Sequence, residues 1–106
     1  MPPASDDDQT RVTRLLTQDL ASTTGHRHEA IVERHAAERR AFARDADYYI
    51  QDVVDNVQQQ LHDEFIDTTW PRCPRHHRHP LWLKDGWWCC EQDGIPVARL
   101  GQLRTP

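Results

Sequence analysis

The chain has 106 residues, 13 basic against 17 acidic side chains, a net charge of −4 and an apolar fraction of 37%. That size suits one compact domain or a small module carrying an extension, and the apolar fraction argues against a large self-sufficient core. The net charge gives no general reason to expect nucleic-acid binding, and no apolar run approaches the roughly 20 residues of a membrane span.

The charge is unevenly placed. Residues 1–25 sum to −2, residues 26–69 to −5 and residues 70–106 to +3, so only the last segment could offer a cationic surface. The first eight residues have neither the positive charge nor the apolar stretch of a signal peptide, and the expected location is the cytosol. In that reducing compartment, three clustered cysteines point to metal ligation or free thiols rather than to disulfides.

In chain order, residues 1–5 read as a disordered start. Asp6-Asp7-Asp8 sits where negative charge stabilises a helix N-terminus. Val12, Leu15, Leu16 and Leu20 then recur at helical spacing, which predicts a short amphipathic helix over about 7–21. Ser22-Thr23-Thr24-Gly25 breaks that pattern with capping and turn residues. From about 26 to 67 there is neither Gly nor Pro. Ile31, Phe42, Ala46, Tyr49, Ile50, Val53, Val57, Leu61 and Phe65 follow one stripe at spacings of three and four. The expectation is a single helix of about 40 residues, on the order of 60 Å long, with the first helix folded back on it as a hairpin.

Arg27, Arg34, Arg39, Arg40 and Arg44 dominate the first part of that helix, whereas residues 45–67 carry seven carboxylates and no Arg or Lys. This polarity opposes the helix macrodipole; the plainer reading is a solvated charged face, and the sharper one is two copies lying antiparallel. Thr68-Thr69-Trp70-Pro71 ends the helix, because a residue before proline is pushed out of the α region.

The three cysteines, the four tryptophans and three of the seven histidines lie between Trp70 and Cys90. Cys73-Pro74-Arg75-His76 has the C-x2-H spacing of a zinc knuckle. His79 and Cys90 extend it to C-x2-H-x2-H-x10-C, a set that could close a tetrahedral Zn2+ site, with His77 or Asp93 competing for the position of His79. Asp85-Gly86 is a type I′ turn signal between Leu81-Trp82-Leu83-Lys84 and Trp87-Trp88-Cys89-Cys90. That turn sets Leu81 opposite Cys90 and Leu83 opposite Trp88. Strand alternation then places Leu81, Leu83, Trp88 and Cys90 on one face, with Trp82, Trp87 and Cys89 on the other. Residues 95–100 supply a third strand, confined to an edge by Pro96. A meander this small needs a staple, which a metal could provide.

The C-terminal pattern is Trp70-Pro71-x-Cys73-Pro74-x-His76-x-x-His79-Pro80-Leu81, then Trp88-x-Cys90, then Gly94-x-x-Val97-Ala98-x-Leu100-Gly101. It resembles a tail of short proteins of actinobacteria and their phages and is similar to a reduced zinc ribbon. The resemblance covers about residues 70–103 and implies a ribbon-like fold without bringing an activity. The chain departs from a full zinc ribbon in having one knuckle cysteine at each end.

The expected class is α+β: a helical hairpin or stalk over 6–69, a three-stranded antiparallel zinc-ribbon-like module over 70–103 and a tail over 104–106. The leading functional expectation is a non-enzymatic structural or adaptor protein, such as a phage or large-assembly component. Its long helix, residues 26–67, would bind a protein partner or a second copy. The alternative is a nucleic-acid-binding regulator that uses Arg72, Arg75 and Arg78 on phosphate. A hydrolytic metal centre is disfavoured, since four candidate ligands leave no open position and no carboxylate is matched to act as base. His26, His28, His35 and His62 lack cysteine or paired-carboxylate company and read as surface residues.

Overall fold

A computed structural model describes residues 4–64 and 66–104. Phe65 of the predicted stripe, residues 1–3 of the start and residues 105–106 of the tail lie outside the described residues. Three α-helices, α1 (Asp6–Thr24), α2 (Glu29–Glu38) and α3 (Ala46–Asp63), precede three strands, β1 (Leu81–Lys84), β2 (Trp87–Cys90) and β3 (Pro96–Arg99). The strands form one antiparallel sheet in the order β1-β2-β3. The class is α+β, as the sequence implied.

Helix α1 starts earlier and ends later than its apolar spacing suggests. Ser5, expected within a disordered start, is an ordered N-cap: its Oγ accepts from the Asp8 N–H at 3.2 Å, and Asp8 Oδ2 accepts from the Ser5 N–H at 2.8 Å. This reciprocal capping box satisfies two donors at the helix start. The helix runs through Ser22, Thr23 and Thr24 and stops only at Gly25, whose positive φ of 83° lets its N–H return to the Ala21 carbonyl. The hydroxyls that looked like helix breakers bond back to the helix instead, Thr23 to the Asp19 carbonyl and Thr24 to that of Leu20.

The predicted 40-residue helix is two helices. After α2, a 3-10 turn (Arg39–Phe42) leads into extended backbone at Ala43 and Asp45, and Asp45 caps α3 by accepting from the Tyr48 N–H at 2.9 Å. The cause is coverage. A straight rod of about 60 Å would outrun a molecule whose principal extents are 37 × 26 × 21 Å and leave half its stripe in water. The break lets α3 bury Tyr49, Val53, Val54, Val57 and Leu61 against α1 and α2, at roughly 1.5–3 kcal/mol for each large aliphatic side chain. The helices therefore form a mutually packed trio rather than a hairpin.

Folding back also joins the basic half of the segment to the acidic half within one chain. Arg39 Nε lies 2.7 Å from Asp52 Oδ2, while Arg34 and His35 both reach Gln60. Buried Tyr49 donates its hydroxyl to the Ala36 carbonyl. The complementarity that suggested two antiparallel copies is met in part within one chain.

The sheet follows the predicted register residue for residue, with Leu81 opposite Cys90, Trp82 opposite Cys89, Leu83 opposite Trp88 and Lys84 opposite Trp87. Asp85 and Gly86 both take positive φ, 53° and 84°, as a type I′ turn requires. Leu81, Leu83, Trp88 and Cys90 are buried, and Trp82 and Trp87 are exposed. Proline-bearing β3 is an edge strand, joined to β2 through an irregular register at Trp88/Cys89.

Sheet and helices share one core, in which Val12, Leu16, Val57 and Leu61 cluster with Leu83, Trp88, Leu100 and Leu103. The joint is made by a residue that periodicity did not single out. Asp19, fully buried in α1, accepts from the Trp88 indole N–H at 2.8 Å and from the backbone N–H groups of Gly101 at 2.7 Å and Leu103 at 2.9 Å. Ser22 Oγ donates to the Leu103 carbonyl, and Thr23 Oγ1 accepts from the Trp70 indole. Gly101 comes so close to α1 that a Cβ there would overlap the Leu15 side chain.

Burial pushes the Asp19 carboxyl above its ordinary value of 3.8, outweighing the three donors that pull it down. The folded protein then binds this proton more tightly than the unfolded chain does. Stability contributed by the group is complete below 3.8 and declines as pH rises through the folded value. Asp19→Ala strands three donors and is expected to cost roughly 3 kcal/mol or more. Asp19→Asn keeps one acceptor oxygen but sets its NH2 against a remaining donor such as the Leu103 N–H, so it should recover only part of that loss, and it should lack the wild-type decline. Urea denaturation of the three proteins across the acid range measures both effects.

Candidate metal centre

Two turns converge on one point. In the first, Pro74 follows Cys73 and the chain folds so that the Cys73 N–H donates to the His79 carbonyl at 3.0 Å and the His79 N–H to the His76 carbonyl at 2.8 Å. An isolated bridge between Arg72 and Pro80 closes the base of this loop. In the second, at the end of β2, Gly94 takes a φ of 73°, its N–H donates to the Cys90 carbonyl, and the Cys90 N–H donates to that of Ile95.

Cys73 Sγ, His76 Nδ1 and Cys90 Sγ meet between these turns, with all three ligand atoms within 4.8 Å of one another. His76 Nδ1 lies 3.1 Å from Cys90 Sγ and 3.9 Å from Cys73 Sγ. Metal–sulfur and metal–nitrogen bonds of 2.0–2.3 Å in a tetrahedron set ligand atoms about 3.5–3.8 Å apart, so these two separations need adjustments of a few tenths of an ångström to hold a metal ion. Both cysteines are buried, and neither is in a disulfide.

Backbone groups prepare the sulfurs for charge. Burial raises the Cys73 thiol, but the His76 and Arg75 N–H groups aimed at its sulfur, helped by Cys90 and the Arg75 cation, bring it below its ordinary value. Burial pushes Cys90 up; the Asp93 and Gln92 N–H groups oppose this, while the neighbouring Cys73 and Asp93 side chains add to it. The Cys90 rise and the Cys73 fall leave Cys73 the first to ionise and Cys90 the holder of the proton. A bound cation would remove that asymmetry by favouring both thiolates.

Arg75 and Asp93 brace the two turns against each other through Nη1–Oδ2 at 3.0 Å and Nη2–Oδ1 at 3.1 Å. Asp93 also accepts from the Ile95 N–H. That bond, followed by Cys90 and the Arg75 cation, outweighs the upward pull of burial and holds its carboxyl below the usual aspartate range.

Of the predicted ligands, Cys73, His76 and Cys90 are brought together, whereas His79 lies outside the three-residue cluster. Its ring centroid is 6.5 Å from that of His76, and its Nδ1 is 3.7 Å from Glu91 Oε2. His77 is exposed and contributes its carbonyl to Arg72. Cys89 faces away from the cluster, with its thiol directed to the Trp87 carbonyl. Of the arginines proposed for phosphate, Arg75 is committed to Asp93, Arg72 is tied in part to His77, and Arg78 is exposed.

Sequence reasoning missed the bracing of Arg75 by Asp93. The available signal was Asp93-Gly94 three residues after Cys90, echoing the Cys73-x-x-His76 spacing. No protein-family model, curated protein or solved structure matches this chain.

The arrangement can bind one metal ion and, by doing so, fasten the 70–80 arm to β2. His76→Ala is expected to abolish stoichiometric binding of a divalent metal, whereas His77→Ala should leave it unchanged. Titration of the reduced, metal-stripped protein with Co2+, read by thiolate-to-metal charge-transfer absorption, separates the two.

Proposed function

We propose that the metal is a structural zinc ion held by Cys73, His76, His79 and Cys90, and that the protein is a non-enzymatic, partner-binding scaffold. The observation that carries this reading is the convergence of two buried thiols and an imidazole on two turns whose backbone N–H groups already point at the sulfurs. Soft sulfur donors with imidazole suit zinc, and a closed four-ligand set is the structural kind of site. His79 would supply the fourth ligand, and Glu91, whose Oε2 is 3.7 Å from His79 Nδ1, would be the carboxylate support that metal-bound histidines commonly have. The small sheet resting on this staple is then a reduced zinc ribbon.

The partner surface belongs to the outer side of the 3-10 turn and α3, within the segment singled out for partners from sequence. Phe42 and Tyr48 are exposed there, and each carries an arginine over its ring, Arg39 at 4.5 Å and Arg44 at 5.0 Å. Exposed aromatics paired with arginine are the chemistry of interface anchors.

Metal analysis of the purified protein should give about one zinc per chain. Chelation, or Cys73→Ser, should lower the melting temperature by on the order of 10 °C or more. His79→Ala and Glu91→Gln should weaken zinc without abolishing it. A protein with no bound zinc and a melting temperature indifferent to chelator would refute the reading.

A further inference from the structure

A groove of about 550 Å³ lies between the 70–74 arm and the edge formed by β3 and the segment after it. Trp70, Pro71, Val97 and Leu103 contribute apolar lining, and Arg72, Arg99 and Arg104 contribute three guanidiniums. Of the nine arginines outside the groove, Arg27, Arg39, Arg40 and Arg75 are each matched to a carboxylate within 3.0 Å, and Arg34 bonds Gln60. Among the described residues no groove arginine has an ion pair. Arg72 gives one N–H to the His77 carbonyl, and Arg99 lies over the Trp87 ring at 4.9 Å. The single carboxylate in the lining is Asp67, which accepts from the Thr69 N–H.

We infer that this groove binds a small amphiphilic anion: a compact apolar or aromatic body carrying a carboxylate, sulfonate or phosphate. The body would rest among Trp70, Pro71 and Leu103, and the anionic group would be shared by Arg72, Arg99 and Arg104. Three guanidiniums with no ion pair among the described residues, set around an apolar hollow, are the combination such a ligand requires, with the apolar surface supplying affinity and the cations fixing its orientation. The volume lies within the roughly 300–1,000 Å³ of small-molecule sites. A polyanion fits less well, because α3 presents Asp47, Asp55 and Asp63 on exposed surface of the same small molecule. Cys73, a proposed zinc ligand, also lines the groove, but none of the three arginines is a proposed ligand, so the anion contacts do not rest on the metal.

The test uses the protein as purified, with 1-anilinonaphthalene-8-sulfonate as probe, followed by fluorescence and by amide and indole chemical shifts. Saturable binding with shifts at Trp70, Val97 and Leu103 is expected. The double substitution Arg72→Glu, Arg104→Glu should weaken binding roughly tenfold or more, while Arg14→Glu on exposed surface elsewhere should leave it unchanged. The altered arginines are exposed, so an unchanged circular dichroism spectrum and melting temperature establish that each variant folds. An uncharged naphthalene alcohol should bind more weakly than the sulfonate. No saturable binding, shifts mapping away from the groove, or affinity indifferent to charge reversal would each overturn the proposal.

Discussion

The fold turns on one buried carboxylate. Asp19 holds α1, the centre of β2 and the C-terminal segment together by directed bonds, through Trp88, Gly101 and Leu103. Apolar contact alone would let the small sheet slide or rotate on the helices, since burial is not directional. A carboxyl group with three fixed donors allows one arrangement. It also sets the indole of Trp88, against which Trp70 packs edge to face at 5.5 Å, and so places the start of the arm that carries Cys73. The cluster of Cys73, His76 and Cys90 is therefore positioned from α1 as well as from the sheet.

The helical part shows how local and global requirements divide the work. Nothing in residues 26–67 forbids a continuous helix, because the segment lacks Gly and Pro. What stops it is the need to cover a stripe that one rod cannot cover in a chain this short. Asp45 converts that need into a definite corner, since its carboxylate can cap the helix that follows. The polarised charges, which along a straight rod invited a second copy, become contacts such as Arg39 with Asp52 once the rod folds.

Legibility from sequence followed the range of the determining interaction. The β hairpin was readable to the residue because its register depends on two turn residues and on strand alternation, both local. Cys73, His76 and Cys90 were readable because ligand spacing along a knuckle and across a known register fixes where they meet. The break at 39–45 was not, because it answers to packing among three helices. Asp19 left a faint trace, a carboxylate on the apolar stripe between Leu16 and Leu20, but its partners lie 69 to 84 residues away. The pairing of Arg75 with Asp93 likewise depends on two turns meeting in space.

The bond from the Leu103 N–H to Asp19 spans 84 residues, which bears on how the chain reaches its native state. Closing a loop of that length costs several kcal/mol of chain entropy before its contacts return anything. The helices can associate through nearby contacts and early. The buried face of α1 around Asp19 stays incomplete until the last strand and the turn after it arrive. Folding should then be limited by this late closure, at rates closer to those of mixed α/β domains than of helical bundles.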